Sequence, residues 1–180
     1  MNETLSIKTA NPNDENVAAI IDELSANLYR RFGSDGKNSF NDWIQNNPKY
    51  VFVIAEIGNE IVGCGAIRPI SEKVGEVKRM FSKYPGMKIG QTILSYLETK
   101  ARELGYEELI LETRIQNEEA KRFYLKSNYK TIPNYGKYVN KPEAICFGKF
   151  LNQNYKTKIS EYPTGKNEKT TSVDPSKRNG

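Results

Sequence analysis

The stretch that most constrains the fold is Gly75 to Thr113, "GEVKRMFSKYPGMKIGQTILSYLETKARELGYEELILET". It reads as a strand, a turn, an amphipathic helix and a second strand with almost nothing between them. The helix is expected over about Ile89 to Glu103, because Ile89, Ile93, Leu94, Leu97, Ala101 and Leu104 recur on one face at helical spacing. Gly105 is placed to end it in the left-handed conformation. The strand after it has no alternation across Leu109-Ile110-Leu111, which implies burial on both faces and a central place in a sheet. The turn before the helix carries Pro85 and Gly86. Such a turn can hold an anion on the N–H groups of the following helix, or it can be an ordinary turn.

Around this unit the chain supplies the rest of one domain. Leu5 to Thr9 reads as a short strand. Asn13 or Asp14 can start a helix that carries Val17, Ile20, Ile21, Leu24 and Leu28 and ends near Arg31. A second, shorter helix is expected over Phe40 to Gln45. "YVFVIAEIGNEIVGCGAIRPI" reads as a hairpin around Gly58-Asn59-Glu60, with "GEVKRMF" as the third strand of a meander. After Thr113 come a helix over "QNEEAKRFYLKSN", capped by Asn117 and ended by Asn128, and two strands, "YKTI" and "AICFGKFL". The class is α/β (α+β), with a mixed, mostly antiparallel central sheet flanked by helices. The domain spans residues 1–151. Residues 152–180 are polar and rich in Lys, Asn, Ser and Thr, and they are expected to form a disordered tail.

Composition closes off several chemistries. The 180-residue chain has no histidine, which removes Ser-His-Asp and Cys-His catalysis and histidine-ligated metal sites. Acid–base work falls to Asp, Glu, Lys, Tyr or Cys. Cys64 and Cys146 sit in apolar runs and read as buried thiols, with a single disulfide left open. The net charge of +5 suits an anionic small ligand or weak nonspecific attraction to nucleic acid. No nucleic-acid-binding motif is present. No apolar run reaches membrane-span length and no secretory signal opens the chain, so the expected compartment is the cytoplasm.

The order of "GEVKRMF", the glycine turn, "IGQTILSYLETKARELGYEELILET" and "NEEAKRFYLKSNYKTI" resembles the GNAT N-acetyltransferase superfamily over Leu5 to Leu151. "IPNYGKYVNKPEAICFGKFL" is similar to the end of one bacterial branch of it. The resemblance implies that the fourth and fifth strands splay apart and that acetyl-CoA, as co-substrate and with no metal, lies in the V. The family's loop pattern, Gln/Arg-x-x-Gly-x-Gly/Ala, falls on Pro85 to Gly90. Pro85 stands where Arg or Gln is usual and Lys88 where the middle glycine is usual.

By the same resemblance, each part of an acetyl transfer has a residue. The backbone of Met80, Phe81 and Ser82 would pair with the pantetheine arm and polarise the acetyl carbonyl. Gly86, Met87, Lys88, Ile89 and Gly90 would form the pyrophosphate loop. Asn117 would bind pantetheine or serve only as a helix cap. Tyr124 would donate to the leaving thiolate, and Glu76 would take the amine proton, with Glu112 as the rival base. Tyr29, Arg30, Arg31 and Phe32, together with Tyr135, Lys137 and Tyr138, would face the amine. The implied function is N-acetylation of a primary amine, on a small molecule or an exposed protein amine, by direct attack in a ternary complex. The unusual loop motivates an alternative, a catalytically weak or inactive module that binds a CoA-like ligand or a protein partner. A homodimer is left open.

Overall fold

A computed structural model describes residues 4–36 and 47–152. The short helix expected over 40–45 and nearly all of the expected tail lie outside the described residues. The elements are β1 (Leu5–Thr9), α1 (Glu15–Phe32), β2 (Val51–Ile57), β3 (Glu60–Pro69), β4 (Val74–Ser82), α2 (Ile89–Glu103), β5 (Glu108–Arg114), α3 (Glu118–Lys126), β6 (Lys130–Ile132), a 3-10 turn (Gly136–Tyr138) and β7 (Ala144–Phe150). The hairpin turn is tighter than the sequence suggests. Glu60 already pairs with Ile57 in the ladder, leaving Gly58, at φ 59°, and Asn59 as the two turn residues.

The strands form one seven-stranded sheet in the order β1-β2-β3-β4-β5-β7-β6. Among the described residues, every strand pairing is antiparallel except β4 with β5. Both faces are covered, which explains why β2 and β5 show no polar alternation. Val51, Val53, Leu109 and Leu111 pack with Ile93, Leu97 and Ala101 of α2 on one face. On the other, Phe52, Ile54, Cys64 and Ala66 pack with Val17, Ile20 and Leu24 of α1. A smaller cluster on β5 and β7 joins Ile110 and Cys146 to Tyr135 and Tyr138. Cys64 and Cys146 are free and buried. Among the described residues, no helix is long and apolar enough to cross a membrane.

The feature that shapes the site is where β4 leaves β5. The two strands pair only from Val74 to Glu76 and from Glu108 to Ile110. Past that point they diverge, and the facing edges carry amides and carbonyls without ladder partners from each other. β4 is also bulged against β3: Cys64 pairs with Phe81 and Ala66 with Lys78, so Gly65 alone opposes Arg79 and Met80. Arg79 takes φ 55° at the bulge, which adds local twist and bends the strand. Gly65 is required beneath it. A Cβ there would stand 2.7 Å from Ile93 Cγ2 and 2.8 Å from Met80 Sδ. The Cys64 thiol donates to the Arg79 carbonyl at 3.3 Å and helps hold the bulge.

Candidate active site

A cavity of about 410 Å³ opens in the divergence. Leu24, Leu28 and Phe32 of α1 form one wall, Val77 to Met80 of β4 and Glu112 to Arg114 of β5 form the V, and Asn117, Ala120 and Tyr124 close the α3 side. Lys137, Tyr138 and Lys141 also line it. The alternation of β4 determines what points where. Val77 joins the α2-side core, while Glu76 and Lys78, two residues apart, share the opposite face with Tyr135 and Tyr138.

Glu76 does not line this cavity. Its side chain is fully buried and forms ion pairs with Arg68 and with Lys78, the latter at 3.1 Å. It also accepts a hydrogen bond from the Tyr135 hydroxyl at 2.7 Å. Burial by itself would raise its pKa, but Lys78, Arg68 and the Tyr135 hydrogen bond outweigh that and hold it below the usual carboxylate value. A carboxylate engaged on both oxygens and sealed from the cavity has no lone pair facing an amine. Lys78 carries the network to the cavity wall, where its ammonium donates to the Tyr138 hydroxyl.

Glu112 is placed differently. It lines the cavity, and among the described residues its side chain makes no hydrogen bond or ion pair. Burial pushes its pKa up, Lys78, Arg114 and Lys137 pull it down, Glu76 adds to the rise, and the net shift is upward. An accessible carboxyl with a raised pKa is better matched to taking a proton near neutral pH than an ordinary one.

Tyr124 sits at the cavity's inner wall, 7% exposed. Its ring is fixed by edge contacts to Phe123, centroids 5.1 Å apart, and Tyr129, 5.7 Å apart. Burial and the charge of Glu112 push the phenol's pKa up, so it is a neutral hydrogen-bond donor. No described residue hydrogen-bonds its hydroxyl. Asn117 caps α3, accepting from the Ala120 N–H at 3.2 Å, and it also accepts from Arg31 at 3.1 Å.

Met80 lines the cavity, and Phe81 and Ser82 continue the diverging strand toward the loop. Gly86, Met87 and Lys88 are exposed. Gly86 is at φ 87°. Ile89 is 1% exposed and belongs to the core, so only its backbone can meet a ligand. Gly90 lies under the ring of Phe123, which a Cβ would meet at 3.7 Å. Lys88 takes φ 59°, ψ 11° immediately before α2, with no side-chain cap. The lysine thus adopts the left-handed conformation for which glycine is the usual choice.

On the amine side, Phe32, Lys137 and Tyr138 reach the cavity, whereas Tyr29 is 64% exposed and Arg30 points to solvent. Arg31 is tied to Asn117 and Glu119. Tyr135 is buried as a partner of Glu76. Sequence reasoning missed Arg68 and Lys78. The signal for Lys78 was available in its i, i+2 relation to Glu76 on a strand, but that for Arg68 was not, because it depends on the β3–β4 register, in which Arg68 faces Glu76.

With this geometry in place, the comparisons identify the class. Residues 17–129 match the model of the acetyltransferase (GNAT) family. The chain is 29% identical over 150 residues to an IAA acetyltransferase of Azospirillum brasilense, covering 82% of this chain and 98% of that one. Its fold matches a candidate acyl-CoA N-acyltransferase from Klebsiella pneumoniae with a TM-score of 0.69 and 28% identity, over 83% of this chain and 99% of that one. It also matches the PaiA N-acetyltransferase of Thermoplasma acidophilum, solved with coenzyme A, with a TM-score of 0.64 and 20% identity, over 82% and 99% of the chains. The chain belongs to the GNAT family and is by that membership an acetyl-CoA-dependent acyltransferase.

Proposed function

We propose that this protein transfers an acetyl group from acetyl-CoA to a primary amine by direct attack, with both substrates bound in the β4–β5 cleft. The observation that carries this reading is the loss of β4–β5 pairing beyond Glu76 and Ile110, with Tyr124 and Glu112 both lining the opening. Released backbone groups of Met80, Phe81 and Ser82 would pair with the pantetheine amides, and an amide of the bulged strand would donate to the acetyl carbonyl as charge develops. The pyrophosphate would lie on the backbone of Gly86 to Gly90 at the start of α2, where N–H groups and the helix dipole favour an anion. Asn117 would remain the α3 cap, and its amide nitrogen, which donates to Thr113 Oγ1 at 3.5 Å, would offer its second N–H to the cofactor arm.

In this reading Glu112, not Glu76, takes the proton from the attacking amine, directly or through water. Glu76 holds Lys78 and Tyr135 in place. The amine nitrogen forms its bond to the acetyl carbon, the carbon–sulfur bond breaks, and Tyr124 donates to the departing thiolate. A thiol pKa of about 8.5 makes that thiolate a tolerable leaving group without full protonation, so most of the acceleration would come from holding the reactants in line.

A thiol-release assay with acetyl-CoA and an amine panel, beside calorimetric titration with CoA, tests the proposal. Binding with turnover that drops in Glu112→Gln supports it. Binding with no turnover of any amine would favour the weak or inactive module, for which the left-handed Lys88 in the loop is the specific observation.

A further inference from the structure

Five cationic side chains and only two carboxylates line the cavity. Lys78 is offset by Glu76 behind the wall. Lys137, Lys141 and Arg114 form no ion pair with any described carboxylate, and the two lining carboxylates, Glu112 and Glu143, are outnumbered by the cations. Lys137 rests its ammonium over the Tyr138 ring at 5.5 Å, and Arg114 lays its guanidinium over Phe32 at 5.6 Å. Among the described residues, neither group makes a side-chain hydrogen bond.

This surplus is not where the cofactor's phosphates would be. Lys137 adjoins Tyr138, which Lys78 touches. From Lys78 to Ser82 the strand runs about 13 Å further, at ~3.3 Å per residue, before the Pro85–Gly90 loop begins. The portion of cofactor that would cross this end is the uncharged thioester. A lining with more cations than carboxylates, and no phosphate to neutralise the surplus, calls for an anion from the other substrate. Burial, together with the like charges of Lys78 and Arg68, outweighs the pull of Glu76 and Glu112 and brings the Lys137 pKa down, as crowded positive charge does.

We propose, resting on the acetyltransferase reading above, that the acceptor is a small amine that carries an anionic group, carboxylate or phosphonate. The anion is held by Lys137 with Lys141 and Arg114, and the amine is directed at Glu112. The arrangement serves the chemistry twice. The anion pulls the substrate in, and the remaining cations of the cavity lower the pKa of the bound ammonium, favouring the neutral nucleophile.

Matched acceptors test this with the full-length chain: β-alanine and 2-aminoethylphosphonate against β-alaninamide and propylamine, read by thiol release. The anionic members should exceed the neutral ones by about tenfold or more in kcat/KM, the scale of one charge-assisted hydrogen bond. Lys137→Ala should raise KM for the anionic members by about tenfold while kcat moves little. Lys141→Ala should do the same more weakly, and added salt should narrow the preference. Both lysines are exposed, so neither variant threatens folding. Turnover of neutral amines equal to that of the anionic ones overturns the inference and leaves the acetyltransferase reading standing. Acetyl-CoA binding without turnover of any anionic member overturns the inference. Absence of both binding and turnover overturns the two together.

Discussion

Replacing Lys88 by glycine separates two roles that one residue combines. Lys88 holds φ 59°, ψ 11°, and for an L-residue with a Cβ this conformation costs roughly 1–2 kcal/mol. Its structural duty is carried by the backbone: the Lys88 carbonyl accepts from the Thr92 N–H at 2.9 Å and from its hydroxyl at 3.1 Å. Glycine keeps both bonds. It removes the strain but widens the unfolded ensemble, which costs about 0.5–1 kcal/mol. The net expectation is a gain of about 0.5–1 kcal/mol, or roughly 1–4 °C in Tm for a domain of this size. Urea denaturation measures it, and an unchanged m-value shows that the two ends of the transition are the same. Lys88→Ala is the control, since it deletes the charge and keeps the strain, so it should gain nothing. If the ammonium also sits beside the cofactor pyrophosphate, both variants lose CoA affinity in calorimetry, while only the glycine gains stability. A Lys88→Gly protein less stable than wild type would refute the reasoning. So would an alanine variant that gains as much as the glycine.

Further predictions concern the two carboxylates, the tyrosine and the bulge. Glu112→Gln should lower kcat by about 10²–10⁴, the usual range for a lost general base, with the midpoint of chemical denaturation close to wild type. Glu76→Ala should instead unfold the protein more easily by about 3–5 kcal/mol, because it leaves Arg68 and Lys78 around an uncompensated hole; urea titration reads this directly. Because the folded pKa of Glu76 lies below 4.5, its contribution is present above the unfolded pKa and is lost as pH falls from about 4.5 through the folded value. Wild type should therefore lose stability over that acid range, and Glu76→Gln should lack this part of the slope. Tyr124→Phe should reduce kcat by roughly 10- to 100-fold, at the low end for a lost proton donor because the thiolate leaves readily, with little change in KM for acetyl-CoA. Gly65→Ala should cost about 1–3 kcal/mol by overpacking, seen as a lowered Tm.

Much of the fold was legible because the periodicities of the sequence record burial. The spacing of Ile89, Ile93, Leu94 and Leu97 anticipates α2, and Gly105 at φ 81° and Asn128 at φ 66° take the left-handed turns that end α2 and α3. The unalternated Leu109-Ile110-Leu111 lies between β4 and β7, as a strand covered on both faces must. The site was less legible. Glu76 and Glu112 look alike as carboxylates on adjacent strands, and nothing local separates them.

What the sequence by itself determined is the order of elements, the chemistry open to a chain without histidine, and the positions of turn and cap residues. All of these depend on residues within a few positions of one another. Only the tertiary structure decided which charges meet. The register of β3 against β4 brings Arg68 to Glu76, and the loop after β6 brings Tyr135 to the same carboxylate from 59 residues away. Those contacts seal one glutamate and leave Glu112 at the cavity wall. Electrostatic environment is a sum over neighbours in space, and a strand's neighbours are set by pairing across the sheet. For the same reason the bulge at Arg79 and the parting of β4 from β5 belong to the folded sheet, not to any single segment that builds it.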